Sequence, residues 1–343
     1  MGPDLLVPAS YAADRRRRRR RYRLRRLAPV GVAVLLAGAA GAWIGSHQSP
    51  QPITSVAAPR ISRQLAAPKA RVHKTPKAPV HKAAPERLLA GGSLVAHTFT
   101  PKLLGAAAIL VDARTGRVVW ADHAHQRRQV ASTTKIMTAL LALRVLRPND
   151  VVTVDKTVPR VPLVREGLRA GERVKAWKLF YAMLLYSGND DALALAIAAG
   201  GSKPAFIEQM NAEAVKLGLH DTHFVSPSGV VDVDNYSSAW DLAALTRVAM
   251  RNARFRSIVR THVIHVSWAA PTFSKIYINN NRLVGTYAGA TGVKTGYTHK
   301  AGPCLVASAT RGGVSLIAVV LDSPDMYTDT KRLLNFGFRS LSA

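Results

Sequence analysis

Cysteine is almost missing from this chain: Cys304 stands alone among 343 residues. A single thiol excludes an intramolecular disulfide framework and any cysteine-rich metal site. It sits in the apolar run Cys304 to Ala309, which favours a buried small hydrophobe over a reactive thiol. Acidic residues are scarce as well, 20 Asp and Glu against 48 Lys and Arg, for a formal charge of +28. No zinc spacing, recognition-helix pattern or aromatic RNA-binding motif accompanies that charge, so nucleic acid is not an expected partner. A polyanionic cell envelope suits a basic exported protein at least as well. The hydrophobic share, 48%, is enough for a real core.

The charge is unevenly placed. Residues 1–96 carry a net +15 and residues 97–343 a net +13. Arg15 to Arg21 is an unbroken run, followed by Arg23, Arg25 and Arg26. The next stretch, Leu27 to Gly45, has 19 residues and no charge, against the roughly 20 needed to span a bilayer core. Arginines before the span place residues 1–26 in the cytoplasm and everything after it outside. Residues 27–46 are therefore expected to form a single N-terminal transmembrane signal anchor, with a cleaved signal peptide as the competing reading. Residues 47–96 are rich in Pro, Ala and Lys without apolar periodicity, the composition of a disordered stalk.

Residues 97–343 read as one folded domain. Two strand-like runs, Ala106–Val111 and Arg117–Trp120, flank the turn Asp112-Ala113-Arg114-Thr115-Gly116. A helix is expected from Ser132 to Arg147, with Ser132 as its cap and Ile136, Met137, Leu140, Leu141 and Val145 as its buried stripe. Helical segments follow at Ala176–Tyr186, Asn189–Ala199 and Lys203–Leu217, and another runs to Met250 behind Ser237 or Ser238. Strands return at Val263–Trp268, Gly292–Thr298, Cys304–Ala309 and Val314–Leu321, before a last helix, Asp329–Phe336. Strands, a helical block, strands and a helix predict an α+β fold whose antiparallel sheet is built from both chain ends around a helical insertion. The cleft belongs where sheet and insertion meet.

Three short motifs carry chemistry. Ser132-Thr133-Thr134-Lys135 puts a hydroxyl and an amine on one helix face. A lysine whose pKa is lowered can take the proton of such a serine, although a capped helix with a snorkelling lysine would share this sequence. Ser187-Gly188-Asn189 lies in a break between helices and could equally be a stop followed by a cap. Lys294-Thr295-Gly296 lies in a strand, where the glycine admits close approach of another backbone or ligand. Taken together, Ser-x-x-Lys, Ser-x-Asn 55 residues later and Lys-Thr-Gly 107 residues beyond that form the motif order of the serine penicillin-binding and β-lactamase superfamily.

The local contexts resemble one branch, the D-alanyl-D-alanine carboxypeptidases (low-molecular-weight penicillin-binding proteins, peptidase family S11). The resemblance rests on Ala131 to Ala139, Ser187 to Asp190, Met210-Asn211 with Leu217-Gly218, Asn281-Arg282-Leu283, Gly292 to Thr298, Ala301-Gly302 with Cys304 to Ala309, and Leu333 to Phe338. It implies a β-lactamase/transpeptidase-like fold and no metal or cofactor. In its terms Ser132 is the nucleophile, Lys135 its general base, and Ser187 and Asn189 complete the catalytic set. Lys294, Thr295, Gly296 and Tyr297 are the implied substrate-binding residues, with the N–H groups of Ser132 and Tyr297 as oxyanion hole. The implied substrates are peptidoglycan stem peptides ending in D-Ala-D-Ala, and β-lactams would acylate the same serine. A monomer at the cell membrane is expected, with the N-terminal span doing the work of the C-terminal anchor of some relatives.

The chain departs from the pattern at four places. Val130 stands where proline commonly precedes the serine motif, Ser226 where asparagine is usual and Asp191 where alanine is usual. The segment Leu321 to Tyr327 lacks the arginine that helps bind the substrate carboxylate in relatives. Two competing readings are a β-lactamase, disfavoured by Ser-Gly-Asn in place of Ser-Asp-Asn and by the lack of a matching Glu, and a catalytically idle wall-binding protein.

Overall fold

The computed structural model describes Leu89 and residues 100–230, 234–269 and 273–341. The expected cytoplasmic segment 1–26 and span 27–46 lie outside the described residues, as does the stalk 47–96 except Leu89. Among the described residues, no helix is long and apolar enough to cross a membrane.

Strands β1 (Ala107–Asp112) and β2 (Val118–Asp122) form the first hairpin. A 3₁₀ turn, Ala131–Thr134, leads directly into α1 (Lys135–Val145). A small ladder of β3 (Val151–Thr153) and β4 (Arg173–Lys175) brackets a long loop. Then come α2 (Ala176–Tyr181), continued by a π turn at Ala182–Tyr186, α3 (Asn189–Gly200) and α4 (Lys203–Lys216). Helices α5 (Ala239–Ala249) and α6 (Ala253–Val259) follow. The chain returns through β5 (Val263–Val266), β6 (Lys275–Ile278), β7 (Ala290–Thr298), β8 (Gly302–Arg311) and β9 (Val314–Leu321) to α7 (Met326–Leu341).

The central sheet has the order β2-β1-β9-β8-β7, antiparallel throughout, so the two chain ends meet in it as expected. Its middle strands are apolar on both faces. Ile109, Val306, Ile317 and Val319 face the helical block, whereas Leu110, Leu305, Ala307 and Val320 pack with Leu333 and Leu334 of α7. Two covered faces explain why these strands read as continuous apolar runs rather than alternating ones. Helix α7 lies close on the sheet at Gly337, where a Cβ would come within 2.6 Å of the Leu110 side chain.

Several expectations are corrected. The segment Val263–Trp268 is shortened to β5 and pairs with the unforeseen β6 in a separate hairpin, outside the main sheet. Helix α6 gives no sequence signal either, because seven residues are too few to display a period. The nucleophile segment is not one capped helix: Ser132 sits inside the 3₁₀ turn, and its side chain caps no backbone N–H. Val145 is exposed at the end of α1, whose remaining turns are buried nearly all round, Ala139 and Ala142 included. Of the two candidate caps for α5, Ser238 takes the role, accepting from the N–H of Asp241 at 3.1 Å.

Candidate active site

Ser132 and Lys135 meet because a 3₁₀ turn runs into α1, which places residues three apart on one side. Lys135 Nζ lies 2.8 Å from Ser132 Oγ, 2.8 Å from Asn189 Oδ1 and 3.3 Å from the Ser228 carbonyl oxygen. The lysine is completely buried, so the snorkelling alternative falls. Burial, reinforced by the charge of Lys294, holds its pKa well below the ordinary lysine value, against the opposing pull of Asp191 and Asp190. A buried amine that is readily neutral, hydrogen-bonded to a serine oxygen, is the arrangement that activates a nucleophile.

The second motif is positioned by backbone irregularity. The π turn widens the end of α2, and Ser187 follows in the left-handed region at φ +78°. Ser187 is buried, and its N–H donates to the Ala182 carbonyl at 2.9 Å. Asn189 then opens α3, with its N–H on the Val164 carbonyl at 2.9 Å and its Nδ2 on the Pro162 carbonyl at 3.1 Å. The side-chain amide thus ties the long β3–β4 loop to the catalytic lysine.

The third motif lies on β7, an edge strand of the central sheet. Lys294 is 1% exposed, and burial pushes its pKa down to about 7. It donates to the Thr295 carbonyl at 3.0 Å. At Gly296 a Cβ would sit 2.8 Å from the Val130 carbonyl oxygen and 3.2 Å from the Ser132 nitrogen. Only glycine lets β7 pass this near the nucleophile turn. Tyr297 is 59% exposed, with its ring edge-on to His299.

Residues that the sequence left unassigned complete the surroundings. Ser226 Oγ accepts from the Gly229 N–H at 3.0 Å and from Asn235 Nδ2 at 2.6 Å, and the Pro227 carbonyl accepts from Thr138 Oγ1 at 2.6 Å. These bonds hold the loop whose Ser228 carbonyl faces Lys135. Asp190 is buried and accepts from the N–H groups of Glu166, Gly167 and Leu168 at 2.8, 2.8 and 3.1 Å, which anchors the β3–β4 loop behind the second motif. Asp191 is wholly enclosed, and neither of its carboxylate oxygens has a hydrogen-bond partner among the described residues. Burial, with Asp190 and Glu166 adding to it, raises its pKa well above the usual range. The Glu166 carboxylate is enclosed and paired with Lys275. No periodicity links residues 24 positions apart, so only Asp190's place in the Ser-Gly-Asn-Asp run hinted at its role. A cavity of about 330 Å³ lies beside the site, lined by Arg160, Pro162, Asn189, Lys203 and Ser228 among others.

A family model described as D-alanyl-D-alanine carboxypeptidase matches residues 95–325. The chain belongs to the D-alanyl-D-alanine carboxypeptidase family. It is 36% identical over 274 residues to a D-alanyl-D-alanine carboxypeptidase of Streptomyces sp. strain K15, covering 73% of this chain and 94% of that one. Carboxypeptidase DacF of Bacillus subtilis is 32% identical over 241 residues, covering 67% of this chain and 61% of the relative. DacC of Escherichia coli is 34% identical over 281 residues, covering 74% and 69%. The crystal structure of the Streptomyces K15 DD-transpeptidase aligns with a TM-score of 0.67 at 35% identity, covering 70% of this chain and 99% of that one. Both the family and the transpeptidase-like α+β fold expected from the motifs therefore hold.

Proposed function

We infer that this protein is a serine D-Ala-D-Ala carboxypeptidase acting on peptidoglycan stem peptides. The carrying observation is Lys135 Nζ, fully buried and 2.8 Å from both Ser132 Oγ and Asn189 Oδ1. Neutral Lys135 takes the Ser132 proton as Oγ attacks the carbonyl between the two terminal D-alanines. The N–H groups of Ser132 and Tyr297 receive the developing oxyanion. Collapse breaks the C–N bond, a proton from the lysine–Ser187 side passes to the leaving nitrogen, and D-alanine departs from an acyl-enzyme on Ser132. Lys294 and Thr295 receive the substrate's terminal carboxylate, and Asn189 bonds the acyl portion. Water then adds to the ester carbonyl, releasing the shortened peptide and returning the proton to Ser132. β-Lactams acylate the same oxygen. The N-terminal span, residues 27–46, keeps this domain on the outer side of the cell membrane as a monomer.

The test uses the full-length protein in non-ionic detergent. With a tripeptide ending in D-Ala-D-Ala it releases D-alanine, and a fluorescent penicillin labels it. Ser132→Ala abolishes both. Rapid penicillin turnover without peptide cleavage would instead make it a β-lactamase. A lack of both labelling and cleavage would leave an idle binder. The likeness to the Streptomyces K15 DD-transpeptidase supports a second reading, in which an amine replaces water as acceptor. Supplying a D-amino acid and looking for the exchanged peptide decides it.

A further inference from the structure

The cavity of about 330 Å³ beside the nucleophile is lined by Asn189 and Ser228, and both residues also hold Lys135. Asn189 Oδ1 and the Ser228 carbonyl oxygen accept from Lys135 Nζ at 2.8 and 3.3 Å. Lys135 Nζ is in turn 2.8 Å from Ser132 Oγ, so the cavity adjoins the reacting atoms. Segments far apart in sequence close round it: the loop after β3, the first turns of α3, and the loop ending at Ser228. Its volume is at the small end for ligand sites, which suits one side chain rather than a whole peptide.

Val161, Leu193 and Pro227 give the cavity apolar wall, which suits the methylenes of a side chain. Arg160 and Lys203 add two cations, both on exposed residues. Lys203 opens α4, where the helix dipole disfavours a positive charge, so helix stability does not account for it. An arginine fork and an ammonium together match a carboxylate and repel another ammonium. An acid of the same loop, Asp155, accepts from the N–H and hydroxyl of Thr157 at 2.8 and 2.5 Å. Two cations facing one carboxylate preserve the choice of sign even where another acid shares one of them. The roles already assigned give the direction. Lys294 and Thr295 on β7 receive the leaving end of the substrate, and Asn189 bonds the acyl end. Asn189 lines the cavity, which therefore lies on the acyl side.

We propose that this cavity receives the side chain of the residue preceding D-Ala-D-Ala and selects one ending in a carboxylate, held by Arg160 and Lys203. The proposal rests on the carboxypeptidase reading above and names the stem peptides it prefers. A side chain ending in an amide fills the same space without the charge, and one ending in an ammonium is repelled. Because both cations are exposed, the preference weakens as salt is raised.

The test uses the full-length protein in non-ionic detergent and two isosteric probes, N-acetyl-L-glutamyl-D-Ala-D-Ala and N-acetyl-L-glutaminyl-D-Ala-D-Ala. Release of D-alanine from each gives kcat/KM, and the wild type favours the glutamyl peptide by about tenfold. Arg160→Gln with Lys203→Gln brings that ratio to within about twofold of unity. Lys331→Gln with Arg339→Gln removes the same charge from exposed positions of α7 and keeps the wild-type ratio. Circular dichroism and thermal melting check that both double variants are folded. A wild type without preference would overturn the proposal, as would a ratio unchanged by losing Arg160 and Lys203. An equal fall in both double variants would reduce the effect to bulk charge and overturn it too. Calorimetric titration of both peptides into Ser132→Ala reads the same preference as a ratio of Kd. Failure to cleave either peptide therefore sinks the carboxypeptidase reading alone, while the Kd ratio still decides the cavity.

Discussion

Replacing Lys294 by Met should stabilise the protein at neutral pH while impairing catalysis. Lys294 is almost completely enclosed, and burial brings its pKa from 10.5 to about 7. In the unfolded chain the same amine titrates near its ordinary value, so between pH 7 and 10.5 the unfolded state binds more protons. Stability therefore rises with pH across this window, and at pH 7 the buried amine costs about 4 kcal/mol. Methionine removes that cost and loses the hydrogen bond to the Thr295 carbonyl, worth about 1 kcal/mol. With imperfect repacking, a net gain of about 1–3 kcal/mol at pH 7 remains, or several degrees in melting temperature. The advantage shrinks by about 1.4 kcal/mol per pH unit towards pH 10. Meanwhile Lys135 loses the neighbouring charge that helps depress its pKa. The acidic limb of the rate of penicillin acylation consequently moves to higher pH. Thermal unfolding of wild type and variant at pH 7, 8.5 and 10, with stopped-flow acylation over the same range, measures both effects. A variant equally destabilised at all three pH values would refute the argument, because Lys294 would then act only through packing.

Three more outcomes follow from the surroundings of the site. Gly296→Val places a Cβ 2.8 Å from the Val130 carbonyl oxygen and should lower the acylation rate by about 10²–10³, the usual loss for a displaced oxyanion donor. Circular dichroism should show the fold retained. Asp191 has its pKa raised by burial, so its contribution to stability is complete below the ordinary carboxylate range and is lost as pH rises through its folded value. Asp191→Asn should flatten that decline in a series of urea midpoints. Cys304 is fully enclosed, and burial pushes its thiol up to about 11, so a thiol reagent at neutral pH should modify it only after unfolding.

The reach of sequence reasoning differs from element to element. The apolar runs of β8 and β9 and the Gly312-Gly313 turn between them identified that hairpin, because both strand faces are buried and the turn chemistry is local. At Ala182–Tyr186 the sequence predicts ordinary helix where the chain makes a π turn, since nothing in an apolar five-residue stretch distinguishes the two windings. In the sequence Asp191 stands out only as a departure from the usual alanine. Its enclosure beside Asp190 and Glu166 depends on a loop 23 to 25 residues away in sequence.

What the sequence settled by itself was composition, order and spacing: one cysteine, a basic head and apolar stretch before a folded domain, and three motifs in a fixed succession. Motif order is a property of the chain and survives any ignorance of packing. Tertiary structure decided which reading each motif deserves. Ser132 and Lys135 could have been a capped helix with a solvated lysine, and Lys294 a cation on a wet strand face. Only folding encloses both amines, brings Asn189 across 54 residues to Lys135 and passes β7 close by the nucleophile turn at Gly296. Removal of water lowers the lysine pKa, and that happens in the packed cleft and nowhere along the chain.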